Sequence, residues 1–350
     1  MLALIQEHTR RIYDLENKVF HLKKINARDL LVLSRFDLFA KLIYIENREK
    51  NPEFGYRIYS EHIKAFNPDL KEPGSTDKDG LEDFISAFDV LIDIFKSNPF
   101  DGSVSLIPVS TNGIPLDGSH RIAALAYFNK EVEILQFEDV YPKSDFDYRY
   151  FLSRGLSRDT ADIIVNESIK YIDNLFIACL WPKIGNRQEK EFAIQYFQAH
   201  FQVFYRKRMQ MSLENLKMFI YEIYNHQDWV GTKENNFSGA RDKAIKCYGK
   251  SKTVDFIVFQ SESLDKVVES KETIRDYYKL DKHALHITDD KEESRKISDL
   301  VFTEKKENYS TAFLLRKEKW QEYKLLFKNV YLIEMKVKVA RVLNKLGLRK

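Results

Sequence analysis

Over the first 27 residues, Ile5, His8, Ile12, Leu15, Val19 and Leu22 recur at alternating spacings of three and four. That is an a/d seam about three heptads long, and it predicts an N-terminal helix over 1–30. Such a helix either pairs two subunits as a short coiled coil or lies amphipathically on its own domain. A second apolar helix is expected near Asp29–Glu46, then a polar stretch Asn47–Gly55. Residues 66–81 combine Pro, Gly, Asp and Asn in turn-forming pairs and read as a mobile surface loop. The next helix carries Phe84, Phe88, Leu91 and Ile92 on one face. Short apolar runs at Ser105–Val109, Ile114–Leu116 and Val132–Phe137 predict strands, with a turn at Thr111-Asn112-Gly113 and a helix over Ser119–Phe128.

The charged, turn-like segment Asp139–Arg158 suggests a domain boundary. Beyond it, apolar strand patterns (Leu175–Leu180, Val203–Met211, Val254–Phe259, His283–Thr288) alternate with helical ones (Gln188–Phe201, Ser212–Asn225, Ala240–Tyr248, Ser263–Tyr278, Asp290–Phe302). Alternation of this kind predicts an α/β fold with a largely parallel sheet covered on both faces. The expected division is a helix at 1–30, a domain at 31–150, a second α/β domain at 151–316 and a helical tail at 317–350.

Composition narrows the function classes. With 12 Gly and 8 Pro in 350 residues, an all-β sandwich with many tight turns is disfavoured. Lys and Arg number 56 against 53 acids, a net +3, so the chain as a whole lacks the positive field of a sequence-independent nucleic-acid binder. Two cysteines, Cys179 and Cys247, neither staple a fold of this size nor build a metal cluster alone, which suits a reducing compartment. With no signal-peptide pattern at the start and no apolar run of membrane-spanning length, a cytoplasmic protein is expected.

The chemistry concentrates in Ile114-Pro-Leu-Asp-Gly-Ser-His-Arg-Ile-Ala-Ala-Leu-Ala-Tyr-Phe128. A strand ends at Leu116, Asp117-Gly118 turns, and a helix opens at Ser119. A helix N-terminus presents unpaired N–H groups and the positive end of the helix dipole. Gly118 allows close backbone approach, Ser119 can cap or donate, and Arg121 adds a planar fork suited to phosphate. His120 brings a hydrogen bond or a proton. The assembly reads as a phosphate cradle.

Asp117-Gly118-Ser119-His120-Arg121-Ile122-Ala123-Ala124 resembles the nucleotide-phosphate motif of the ParB/sulfiredoxin-like superfamily, and its Asp-Gly-x-His-Arg form is most similar to the free-serine kinases of that group. Leu106–Val109 and Val132–Phe137 match the flanking strands, so the resemblance covers about residues 80–140. Sulfiredoxin's reactive cysteine has no counterpart near the motif, and no helix-turn-helix of the partition proteins follows it. The resemblance therefore implies small-molecule phosphoryl transfer, with ATP or another nucleotide bound at Gly118, Ser119, His120 and Arg121, usually with Mg²⁺. Such chemistry also needs a carboxylate base or metal ligand. Glu82, Asp83 and Asp117 are the candidates for catalysis beside His120, and Asp89 for the metal.

A second constellation lies further along. Lys271 and Arg275, four apart on a helix, precede His283-Ala-Leu-His-Ile-Thr-Asp289. In an open parallel sheet the C-terminal strand end is where ligands bind. Lys271 and Arg275 could hold a nucleotide diphosphate there, His286 could act as acid or base, and Asp289 could take a metal. The run Asn235–Arg241 is a further possible phosphate loop. In the tail, Lys336, Lys338, Arg341, Lys345, Arg349 and Lys350 occur without an acid, a pattern suited to a packing helix or to an anionic membrane surface. The chain end and Phe36–Tyr44 resemble bacterial surface-polysaccharide enzymes, which suggests capsule or lipopolysaccharide assembly as the setting.

The leading expectation is an ATP- and Mg²⁺-dependent kinase acting on a sugar or small polar metabolite. A glycosyltransferase or nucleotide-sugar enzyme using the second domain is the first alternative. A nucleotide-gated nucleic-acid-binding protein is the second. A homodimer through the N-terminal helix and peripheral membrane contact through the tail complete the expected partners.

Overall fold

The computed structural model describes residues 1–72 and 78–303; the tail, with the basic amphipathic helix expected there, and the central part of the polar loop lie outside them. The chain is an α/β protein that divides into two compact units, Met1–Ile172 and Asp173–Val301. The division falls after a helix, Arg158–Tyr171, that follows the charged stretch Asp139–Arg158. Among the described residues no helix is long and apolar enough to cross a membrane.

The first unit is built on a three-stranded sheet of order β1-β3-β2, with β1 Phe20–Asn26, β2 Ile107–Val109 and β3 Glu131–Phe137. β1 runs antiparallel to β3 in unbroken register from Phe20↔Phe137 to Asn26↔Glu131. β2 runs parallel to β3, and the crossover between them contains α5, Ser119–Tyr127. The remaining helices are α1 Glu7–Tyr13, α2 Phe36–Asn47, α3 Pro52–Phe66, α4 Leu81–Ser97, α6 Tyr148–Ser153 and α7 Arg158–Tyr171. Helix α2 is buried from Phe36 through Ile45, on every face, because α3, α5 and α7 pack around it. Ala123, Ala124 and Ala126 keep α5 close to its neighbours, all at 0% exposure.

The N-terminal seam does not form one helix. The chain turns at Asp14, which sits in the left-handed region at φ 50°, and residues 20–26 become a strand. Ile5 and Leu15 are buried in the first unit's own core with Leu106, Leu135, Phe137 and Val140, while Ile12, Val19 and Leu22 are exposed. A continuous coiled coil through this seam therefore has no scaffold. The expected strand Ile114–Leu116 is instead a fold-back, bridged at Val109↔Pro115 and by Leu116 N–H donating to the Pro108 carbonyl.

The second unit holds a four-stranded sheet of order β5-β6-β4-β7: β4 Leu175–Leu180, β5 Gln202–Gln210, β6 Thr253–Gln260 and β7 Leu285–Ile287. Every pairing is antiparallel, which overturns the expected parallel sheet. The apolar runs that suggested it have another cause. β4 and β6 are covered on both faces. On one face Ala178, Leu180, Ile257 and Phe259 pack with Ala193, Ile194, Val267 and Ile274 of α8 (Glu191–His200) and α11 (Leu264–Tyr278). On the other, Phe256 meets Phe219 of α9 (Leu213–Tyr224) at 5.6 Å between ring centres. Two further helices, α10 Ser238–Cys247 and α12 Lys291–Val301, complete the unit. Ser212 caps α9, accepting the Asn215 N–H at 3.1 Å.

Candidate functional site

The motif folds as its residue order dictates. After β2 the chain turns through Gly113 at φ 80° and folds back through Pro115. The Asp117 Oδ1 then accepts the Gly118 N–H at 2.6 Å, an internal bond that fixes the tight turn. Gly118 stands at the N-cap of α5 in the left-handed region, φ 80°, where a side chain is strained. It is also closely approached: an added Cβ would lie 2.4 Å from Ile107 Cδ1 and 2.9 Å from Arg121 Nη2. No side chain caps this helix, so the N–H groups of its first turn remain for another acceptor.

That first turn opens onto a cavity of about 660 Å³ lying wholly within the first unit. The size falls within the usual range of small-molecule sites. Asp117, Gly118, Ser119, His120 and Arg121 all border it. Burial lowers the Arg121 pKa from its usual value against the opposing pull of Asp117 and Glu72, yet the group remains a cation at neutral pH. Its Nη2 stands 3.8 Å from Asp117 Oδ2, an oxygen that is itself buried without a hydrogen-bond partner. His120 Nε2 is 2.8 Å from the Tyr59 hydroxyl, and its ring meets Phe88 edge-on at 4.7 Å. Burial, with Lys41, Lys78 and His62 nearby, holds His120 well below the usual histidine pKa, so it is neutral at pH 7.

The rest of the wall comes from elements distant in sequence. Arg35 and Lys41 of α2 and its N-cap are bound by one buried carboxylate, Asp37: Arg35 grips it with Nε and Nη2, both at 2.9 Å, and Lys41 Nζ donates at 3.1 Å. Burial pushes the Asp37 carboxyl up, but the two cations outweigh it and hold the group well below the ordinary carboxylate range. Burial draws Lys41 down to about 8, against the opposing pull of Asp37. Phe66 ends α3, and Tyr150 and Arg154 belong to α6 and its C-cap; all three border the cavity. So do Asp69, Glu72 and Lys78, on the two limbs of the polar loop, with Lys78 paired to Glu72 at 2.8 Å. Gln6, His8, Thr9 and Tyr13 close one side from the N-terminal segment.

The acids expected on α4 are elsewhere. Glu82 accepts from the Tyr56 hydroxyl at 3.2 Å, Asp83 accepts the Asp79 N–H at 2.9 Å, and neither borders the cavity. Asp89 is taken by the Tyr44 hydroxyl at 2.9 Å and by Arg48 at 3.3 Å, away from the cavity. Besides Asp117, the carboxylates that do face it are Asp69 and Glu72, in the loop whose composition signalled only a mobile surface. Arg35, Lys41, Phe66, Tyr150 and Arg154 carried no local signal.

In the second unit part of the expected constellation comes together: Lys271 meets Asp289, and Glu293 contacts His286 and accepts the Asp289 N–H, while Arg275 is bound elsewhere. Lys271 Nζ binds Asp289 Oδ1 at 2.5 Å, and Arg275 turns back onto Glu272 at 2.9 Å. His286, 7% exposed, has Nδ1 2.9 Å from the Tyr224 hydroxyl and Nε2 3.0 Å from Glu293, the latter a contact without hydrogen-bond alignment. Because β7 is antiparallel to β4 and opposite Cys179, the strand-end argument for a ligand site does not apply to His286. The run Asn235–Arg241 opens α10, but Gly239 has a packing reason: a Cβ there would lie 1.7 Å from the Trp229 carbonyl oxygen. Both cysteines are free and buried. Among the described residues no group of three or more His, Cys, Asp or Glu side chains could hold a metal ion by itself.

No protein-family model, no curated protein and no solved structure matches the chain.

Proposed function

We propose that the first unit is a nucleotide-dependent phosphotransferase, using ATP or a related nucleotide to phosphorylate a hydroxyl of a small polar metabolite. The observation that carries this reading is the opening of an uncapped helix N-terminus, with Arg121 in its first turn, onto an open cleft of about 660 Å³. Backbone N–H groups at Ser119–Arg121 and the Arg121 fork complement phosphate oxygens, and the helix dipole favours their charge. Mg²⁺ is usually held by one or two protein carboxylates, the phosphates and water, so a three-ligand protein cluster is not required. Asp117, with Oδ2 buried and unpartnered, fits the carboxylate part of such a shell. When bound, the ion would offset charge on the transferring phosphoryl group.

The chain's own groups supply the rest. His120 is neutral and positioned by Tyr59, so it can exchange a hydrogen bond with a phosphate or hydroxyl without adding charge. Asp69 and Glu72, rather than Glu82 or Asp83, are the carboxylates at hand to take the proton of an acceptor hydroxyl. Calorimetric titration of a non-hydrolysable ATP analogue with Mg²⁺ tests the proposal. Binding should be saturable, and Arg121→Ala should weaken it by about 1.5–3 kcal/mol, roughly 10- to 150-fold, as expected for a hydrogen bond to a charged group. Equal affinity in a folded Arg121→Ala protein would remove the cradle from the argument.

A further inference from the structure

The cavity is also bordered by aromatic side chains that the phosphate chemistry does not use. There Phe66, Phe146 and Tyr150 cluster, with ring centres 5.0 Å apart for Phe66–Phe146 and 5.1 Å for Phe146–Tyr150. All three border the cavity and are only partly buried, unlike their neighbours Phe36 and Phe151, which are at 0% exposure. The Arg154 guanidinium lies 4.9 Å over the Tyr150 ring and is fixed by donating to the Ala65 and Phe66 carbonyls. Tyr13 closes the same cavity from the N-terminal segment.

Arg35 connects this cluster to the cradle. Its Nη1 donates to the Pro115 carbonyl at 2.5 Å, two residues before Asp117, while its guanidinium stands 5.6 Å over the Phe146 ring. Both of its other nitrogens are committed to Asp37, so Arg35 acts as a fixed part of the wall rather than as a phosphate ligand. One cavity thus borders hydrogen-bond donors suited to phosphate, a rigid guanidinium and three partly exposed aromatic rings.

We propose that this aromatic cluster is the nucleobase subsite, with Tyr150 and Phe146 as the residues that favour a nucleotide over a bare polyphosphate. Aromatic faces bind bases by stacking, a sequence-tolerant interaction, and a guanidinium over the ring adds to the platform. Arg35, which touches both Pro115 and the Phe146 ring, places these aromatic side chains within the same cavity as Ser119–Arg121. The inference rests on the phosphate reading of the cradle, and the experiment separates the two.

Binding of ATP, inorganic tripolyphosphate and adenosine is measured by calorimetry on the full chain and on Tyr150→Ala, Tyr150→Phe and Phe146→Leu. The expected result is that ATP binds the native protein at least tenfold more tightly than tripolyphosphate. Tyr150→Ala and Phe146→Leu should each reduce ATP affinity on the order of tenfold or more, as loss of a base–aromatic stack does, and leave tripolyphosphate affinity unchanged. Tyr150→Phe, which keeps the ring, should retain the preference. Equal affinity for ATP and tripolyphosphate, or equal losses for both ligands in Tyr150→Ala, would overturn the base subsite and leave the cradle standing. Adenosine binding that is lost in Tyr150→Ala, with no binding of tripolyphosphate, would support the base subsite and remove the cradle. No binding of any of the three overturns both.

Discussion

Replacing Gly118 with alanine perturbs the cradle at its most constrained point. The residue sits at φ 80°, where an L side chain costs about 1–2 kcal/mol. The new methyl would stand 2.4 Å from Ile107 Cδ1, and Ile107 is at 0% exposure with no open space to turn into. Overpacking of this kind costs about 1–3 kcal/mol more. The expected destabilisation is therefore about 2–5 kcal/mol, measured by urea denaturation. A second substitution isolates the steric part. Ile107→Val removes the clashing Cδ1 at a cost of about 0.5–1.5 kcal/mol alone. In the double variant the two costs should fall short of their sum by about 1 kcal/mol or more, since contacting residues couple. Arg121 Nη2 would still be crowded at 2.9 Å, so ligand affinity should remain reduced even where stability recovers. A Gly118→Ala protein within about 0.5 kcal/mol of the native one, the usual range of a neutral surface change, would refute the left-handed turn. Strict additivity with Ile107→Val would refute the close contact.

Three further outcomes follow from other parts of the first unit. Asp37→Asn leaves Arg35 and Lys41 buried against a neutral amide, and should destabilise by about 3–5 kcal/mol in chemical denaturation, as breaking a buried ion pair does. Burial raises Glu167 from the ordinary value to about 7 despite Lys170 at 2.7 Å. The folded state then holds a proton that the unfolded state releases between pH 4.5 and 7, so stability should fall as pH rises through that window, and Glu167→Gln should flatten the fall. Deleting residues 1–27 removes β1 and the Ile5 and Leu15 core contacts, together with the Thr9 and Tyr13 wall. The truncated chain should lose the first unit's cooperative melting transition and its nucleotide binding, and survival of both would place the N-terminal segment outside the fold.

The cradle was legible because it is local. A fold-back, an Asp-Gly turn and an alanine-rich helix follow one another within about fifteen residues, and Gly118 does what the order requires. The opposite wall was not legible, because α2, α3, the polar loop and α6 supply one or two side chains each, and nothing in their spacing marks them as neighbours. The acids of α4 misled for a related reason. Their helix is amphipathic, and the acids bind Tyr44, Arg48 and Tyr56 of α2, its C-cap and α3 rather than the cavity. At the N-terminus, spacings of three and four fitted a heptad, but Asp14 breaks the helix, and β1 is an edge strand whose exposed His21, Lys23 and Lys24 hide any alternation. In the second unit the direction of the strands was invisible, since burial on both faces produces the same apolar run in either orientation.

Each unit also buries a lysine against a carboxylate. In the second, Lys190 is at 0% exposure and spends its donors on the Leu180 and Thr253 carbonyls and on Asp255, which Arg208 also binds at 2.8 Å. Burial lowers Lys190 to about 8 against Asp255, but its donors meet protein acceptors. In the first, two cations share the single carboxylate of Asp37 at the wall of a cavity, and Asp117 Oδ2 lies buried beside the same space without a hydrogen bond. A buried polar atom without a partner costs stability, on the order of 1–3 kcal/mol, unless something else answers it. The Lys190 network closes on itself, although Trp181 Nε1, Arg275 Nε and His286 Nε2 of the same unit are buried without a hydrogen bond. The Asp37 network of the first unit is satisfied in the same way, and it is the separate Asp117 Oδ2, beside the cavity, that lacks a hydrogen bond.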